Sequence, residues 1–150
     1  MELTRRVLFK KAKPVEFRWP HQNLILANNM LKFMRENDGI GLAAPQIGIS
    51  KRVFVMEVHG RERMCFNPEI IFSSDVLTEF PEGCLSFIGD QCIIKRPDTI
   101  CVKYQDHQGN WIEDDMVGLE ARCFQHELDH LDGIVMHDRK KEQDATEPRD

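Results

Sequence analysis

The run His126-Glu127-Leu128-Asp129-His130 constrains this chain more than any other feature. Two histidines four residues apart on a helix lie one turn above each other, so both imidazoles can reach one ion. Glu127 sits about 100° round the helix from His126. That is off the shared face, yet near enough to take a proton from a water that an ion polarises. At helical spacing Leu119, Cys123, His126 and His130 form one stripe, and Ala121, Phe124, Leu128 and Leu131 form a second apolar stripe opposite. A helix apolar on two faces is buried and central. Histidines on a buried face need partners, and a metal supplies them. Gly133, just after Leu131-Asp132, is expected to end the helix through a left-handed cap.

Two imidazoles do not complete a site. Structural zinc takes four protein ligands, whereas catalytic zinc takes three and leaves a place for water. Three residues offer a route to the next ligand. The run from His126 to Gly133 follows the pattern of metzincin metalloproteases, which requires a third histidine three residues after the glycine. This chain has Met136 there, and His137 comes one place late. Cys123 lies one turn before His126; with a second cysteine it would close a structural centre and make the chain a non-catalytic, metal-stapled binding module. No Cys-x-x-Cys pair supports that, and Glu127 would have no task. Cys84 follows a glycine in Pro81-Glu82-Gly83-Cys84-Leu85-Ser86, where a loop thiolate can be stabilised by an ion. Periodicity does not choose Cys84 over Cys65, Cys92 or Cys101.

The chain has 150 residues, 41% hydrophobic and 30% charged, which predicts a single domain over 1–150 with a real core. A net charge of -5 argues against a dedicated nucleic-acid binder. No apolar run approaches membrane-spanning length. Five cysteines, an odd number without a secretory signal, read as reduced thiols in a cytoplasm, and a monomer is expected. Pro20 opens a helix to about Glu36 with Leu24, Ala27, Leu31 and Met34 on its apolar stripe, and Asp38-Gly39 stops it. Val53–Val58 reads as a strand and His59-Gly60 as the turn after it. Further strands are expected near 64–66, 69–78, 91–94 and 100–105. The turn His107-Gln108-Gly109-Asn110 then leads into Trp111-Ile112-Glu113. From about residue 139 the chain is a polar run expected to be a disordered tail. The predicted fold is α+β: antiparallel or mixed β-sheets packed around a central helix carrying the His-Glu-x-x-His motif, one helix before it, and a truncated C-terminus.

Three blocks together resemble the peptide deformylase family: Gly39-Ile40-Gly41-Leu42-Ala43-Ala44-Pro45-Gln46-Ile47-Gly48, Glu82-Gly83-Cys84-Leu85-Ser86, and Gln125-His126-Glu127-Leu128-Asp129-His130. They occur in the family's order and separations. The resemblance implies a hydrolase that removes the formyl group from N-formylmethionine at the amino terminus of new polypeptides. It implies Cys84, His126 and His130 as metal ligands, Glu127 as the base, and the Gln46 amide with the Leu85 backbone N–H as oxyanion donors. The implied metal is Fe(II), with zinc, nickel or cobalt as substitutes. The family's methionine pocket maps onto Ile40, Phe80, Leu119 and Cys123, and Gly41 is expected to let a substrate backbone approach. Arg96 matches a family arginine and is expected to bridge Glu82 and Asp38.

The chain departs from the family in two places. The cysteine loop continues Phe87-Ile88-Gly89 where an aliphatic residue and proline are usual. The chain also ends soon after the ligand helix, without the C-terminal helix of longer bacterial members, which leaves a transient ribosome contact open.

Overall fold

The computed structural model describes residues 1–146. Three helices, α1 (Pro20–Glu36), α2 (Gly118–Leu131) and α3 (Met136–Thr146), join seven strands. The strands are β1 (Gly41–Ala43), β2 (Val53–Val58), β3 (Arg61–Ser73), β4 (Leu77–Glu82), β5 (Cys92–Pro97), β6 (Thr99–Gln105) and β7 (Trp111–Val117). Five of them form a sheet in the order β1-β2-β3-β6-β7, and β4-β5 forms a separate pair. Every pairing between these strands is antiparallel, so the expected α+β class holds with antiparallel sheets. No helix among the described residues is long and apolar enough to cross a membrane.

Proline at the start of α1 costs no hydrogen bond, because the first helical N–H groups lack partners anyway. The helix buries Ala27, Met30, Leu31 and Met34 against Leu42, Val53, Val55 and Phe66, while its buried Asn23 donates to Glu16 C=O and His107 C=O. The turn joining β2 to β3 places His59 at φ 53° and Gly60 at φ 75°, the left-handed pair that a two-residue hairpin requires. The two strands expected at 64–66 and 69–78 are instead one strand, β3, followed by β4 from Leu77. Pro68 cannot donate to a ladder, and β3 passes it through a register shift between Phe66 and Glu69. Asn67, at φ 48°, ties that bulge to the N-terminal arm by accepting from Val15 N–H and donating to Val15 C=O.

The inner face of the large sheet, with Phe54, Met56, Ile100, Val102 and Met116, packs on Ala121, Phe124 and Leu131 of α2. The rings of Phe54 and Phe124 meet edge to face at 5.0 Å. α2 buries ten of its fourteen residues, including Arg122, Gln125 and Asp129, which the two apolar stripes did not predict. Gly133 follows at φ 75°, where a β-carbon would lie 2.9 Å from the Phe9 backbone.

The expected tail from residue 139 is corrected here: Met136–Thr146 is helical. Its anchors are not an apolar stripe. Met136 is buried beside Cys92 and Ile94. Arg139 binds the Asp129 carboxylate, and the Gln143 side chain accepts from Lys95 N–H and donates to Lys95 C=O, both at 2.9 Å. The last part of the expected tail, 147–150, lies outside the described residues.

Candidate metal centre

Cys84 sits between β4 and a 3-10 turn, Leu85–Phe87, while His126 and His130 project from successive turns of α2. The three ligand-type atoms all lie within 4.8 Å of one another. Cys84 Sγ is 3.4 Å from His130 Nε2, which is 3.2 Å from His126 Nε2. Glu82 ends β4 with its Oε1 2.8 Å from His126 Nδ1. A proton donated from Nδ1 to that carboxylate leaves Nε2 as a bare lone pair facing the other two.

Electron-rich atoms this close repel unless a proton or a metal ion lies between them. The buried Glu127 Oε1 and His130 Nδ1 also have no hydrogen-bond partner in the protein. One sulfur and two imidazole nitrogens form a donor set that suits zinc and ferrous iron. Electrostatics point the same way. Burial alone would raise the Glu82 carboxyl, but hydrogen bonds from His126 and Arg96 hold it down at about 2. Burial disfavours charge on His126, yet hydrogen bonds with Cys84 and Glu82 raise it to about 10. A metal ion binding there displaces that proton. His130 is kept neutral, lowered to about 3 by burial and by its neighbour His126, which is the form that ligates. Burial raises the Glu127 carboxyl to about 7, against the pull of His126, so it can exchange a proton near neutrality.

The glycine-rich block contributes from the other side. Pro45 and Gln46 lie in a 3-10 turn, Ala44–Ile47, and Gln46 is buried. Its Oε1 accepts from Ala43 N–H at 2.9 Å, which directs Nε2 towards Ser86 Oγ at 3.0 Å and Cys84 Sγ at 3.5 Å. Leu85 opens its 3-10 turn, so its N–H has no intrahelical acceptor. At Gly41 a β-carbon would stand 2.5 Å from Glu127 Oε2 and 2.9 Å from Cys123 Sγ. The space expected to admit a substrate backbone is thus bounded by the Glu127 carboxylate, and the missing side chain makes room for it.

A cavity of about 330 Å³ opens beside these groups. Ile40, Gly41, Phe80, Leu119 and Cys123 all line it. So do Gln46, Cys84, Leu85, His126 and Glu127. Cys123 stays out of the ligand group and gives its thiol to Ile40 C=O at 3.7 Å. His137, on α3, pairs with Asp90 at 2.9 Å and is likewise apart from the ligands.

The expected Arg96 bridge holds on one side and fails on the other. Arg96 grips Glu82 with two hydrogen bonds, of 2.5 and 2.9 Å, but its remaining arm reaches Asp129 at 2.9 Å, not Asp38. Asp38 lines the cavity after α1, whereas Asp129 lies on α2 between the two histidines, on the helix that β5 packs against. Arg122 was given no role from the sequence. It donates to Glu82 at 2.6 Å, to Ile94 C=O at 2.9 Å and to Thr78 C=O at 2.6 Å. The available signal was a third stripe, Arg122-Gln125-Asp129, at the spacing i, i+3, i+7 on a helix already read as buried.

The polypeptide deformylase family model matches residues 1–146. The peptide deformylase of Thermotoga neapolitana is 42% identical over 135 residues, covering 90% of this chain and 82% of that protein. The crystal structure of peptide deformylase from Thermotoga maritima superposes with a TM-score of 0.85 at 43% identity, covering 89% of this chain and 90% of that one. The Thermus thermophilus enzyme gives 0.86 at 43% identity, covering 94% of this chain and 85% of that one. With the motifs, the fold and the relatives in agreement, the chain belongs to the peptide deformylase family.

Proposed function

We propose that Cys84, His126 and His130 hold one divalent metal ion, and that Glu127, Gln46 and the Leu85 N–H carry the reaction beside it. The reaction is the family's own: the chain removes the formyl group from N-formylmethionine at the amino terminus of new polypeptides. The observation that carries the residue assignment is the convergence of three ligand atoms next to a buried carboxyl whose Oε1 has no partner.

When bound, the ion acts as a Lewis acid and lowers the pKa of an adjacent water. Glu127 takes a proton as water adds to the formyl carbon, and its raised affinity for protons suits that exchange near pH 7. The carbonyl oxygen, now negative, accepts from the Gln46 amide and the Leu85 N–H, each worth about 3 kcal/mol of barrier in sites of this type. Gln46 spends one N–H on Ser86, which holds the amide plane still, and the N–H that meets the oxyanion gives up its long contact with Cys84 Sγ. Glu127 then returns its proton to the leaving nitrogen, the C–N bond breaks, and formate and a free amine result. The methionine side chain enters the apolar part of the cavity, between Ile40, Phe80, Leu119 and Cys123.

One thiolate and two neutral imidazoles leave a divalent site near +1, which Fe(II), zinc, nickel or cobalt can each occupy; Fe(II) as the natural ion rests on the family resemblance. All five cysteines are free, in keeping with action in the cytoplasm, where such chains leave the ribosome. Cys84→Ala should abolish stoichiometric metal binding, whereas Cys123→Ala and His137→Ala should retain the ion. Metal analysis of the purified variants checks this, and loss of the ion from Cys123→Ala with retention in Cys84→Ala would contradict the assignment.

A further inference from the structure

A continuous line of charged hydrogen bonds runs from α3 to a metal-binding imidazole. Arg139 donates to both oxygens of Asp129, at 2.8 and 3.1 Å. Asp129 accepts from Arg96 at 2.9 Å, Arg96 grips Glu82, and Glu82 lies 2.8 Å from His126 Nδ1. The three inner members are only 5–7% exposed, so ion pairs rather than water must balance them. Arg139 stands at the outer end, with a third of its side chain exposed.

The chemistry of this line gives Arg139 a task that helix packing does not. α3 buries only Met136 and has no apolar face, so an arginine there is not needed to complete a core. Without Arg139, the buried Asp129 would have one guanidinium left, and it is the one that also serves Glu82. Arg96 would then be pulled between two carboxylates, and the two-pronged grip on Glu82 would loosen. Glu82 is what fixes the tautomer and ring direction of His126.

We propose that Arg139 is a positioning residue for the metal centre, acting through Asp129, Arg96 and Glu82 on His126. This rests on the reading of Cys84, His126 and His130 as the ligands. α3 thereby becomes a working part of the site. Gln143 provides an internal comparison: it docks the same helix onto the Lys95 backbone of β5 and touches no member of the line.

The test uses the full chain loaded with Co(II), challenged with excess chelator, and follows loss of the cobalt absorption bands. Arg139→Ala should release cobalt about 10-fold faster than wild type, the lower end of the range for residues that support ligands, and its bands should be displaced. Arg139→Lys keeps the charge but not the two-pronged geometry, and should fall between the two. Gln143→Ala should match wild type in rate and spectrum. A wild-type rate in Arg139→Ala overturns the proposal. So does equally fast loss from Gln143→Ala, which would reduce the effect to helix docking. If Arg139→Ala does not fold, Arg139→Lys decides, and wild-type release from it overturns the proposal. Stoichiometric cobalt binding by Cys84→Ala would instead sink the ligand reading, whatever Arg139 does.

Discussion

α1 and α2 are both amphipathic-looking helices that pack on the same antiparallel sheet, yet they bury opposite kinds of surface. α1 turns one mostly apolar stripe inward, Ala27, Met30, Leu31 and Met34, and leaves the rest to water. α2 is buried nearly all round, and its interior includes Arg122, Gln125, His126, Glu127, Asp129 and His130. The first arrangement stabilises through area removed from water. The second is costly, because buried charges are tolerable only when each has a partner. The supporting charges have them: Glu82 is met by Arg96, Arg122 and His126, and Asp129 by Arg96 and Arg139, whereas Glu127 Oε1 and His130 Nδ1 are left without a protein partner. The contrast separates scaffold from site.

The contrast breaks most visibly at Arg96. Arg96→Met leaves Glu82 and Asp129 short of their shared cation, and should destabilise the fold by about 3–5 kcal/mol while also weakening metal retention. Thermal unfolding with parallel metal analysis reads both effects. On α1, Met30→Ala should lose about 2–4 kcal/mol through its cavity, yet the folded fraction should keep its metal and its kcat. A metal-depleted Met30→Ala protein would blur the distinction. Gly41→Ala sharpens it from the sheet side. The new methyl group meets the Glu127 carboxylate and the Cys123 sulfur, so kcat should fall about 100-fold by misplacement of the base. Metal content should stay whole, as activity and metal assays on one preparation would show.

What the sequence disclosed follows the same division. Local signals carried the regular parts: Pro20 and Asp38-Gly39 bounded α1, and β2 lies where Val53–Val58 predicted. The three motif blocks named the residues that meet at the cavity, including Gln46 and Leu85, which are far from the histidines in sequence. The supporting charges were less legible. No local pattern pairs Arg122 or Asp129 with a carboxylate or guanidinium, because their partners lie 40 and 33 residues away. Asp38 was assigned to Arg96 because it flanks a motif, but nearness to a motif in sequence is not nearness in space. α3 escaped for a related reason. Its charge density reads as a tail, whereas Arg139 and Gln143 attach it through polar groups that no hydrophobic pattern records.

On the proposed reading, the buried carboxyl of Glu127 moves protons and does not hold the ion. Glu127→Gln tests it most directly, with metal stoichiometry and turnover of a formyl-methionyl peptide measured on the same sample. The variant should keep a full complement of metal, with kcat lowered about 10²–10⁴-fold, the usual contribution of a general base. A variant that loses its metal, or one that turns over at the wild-type rate, would contradict it.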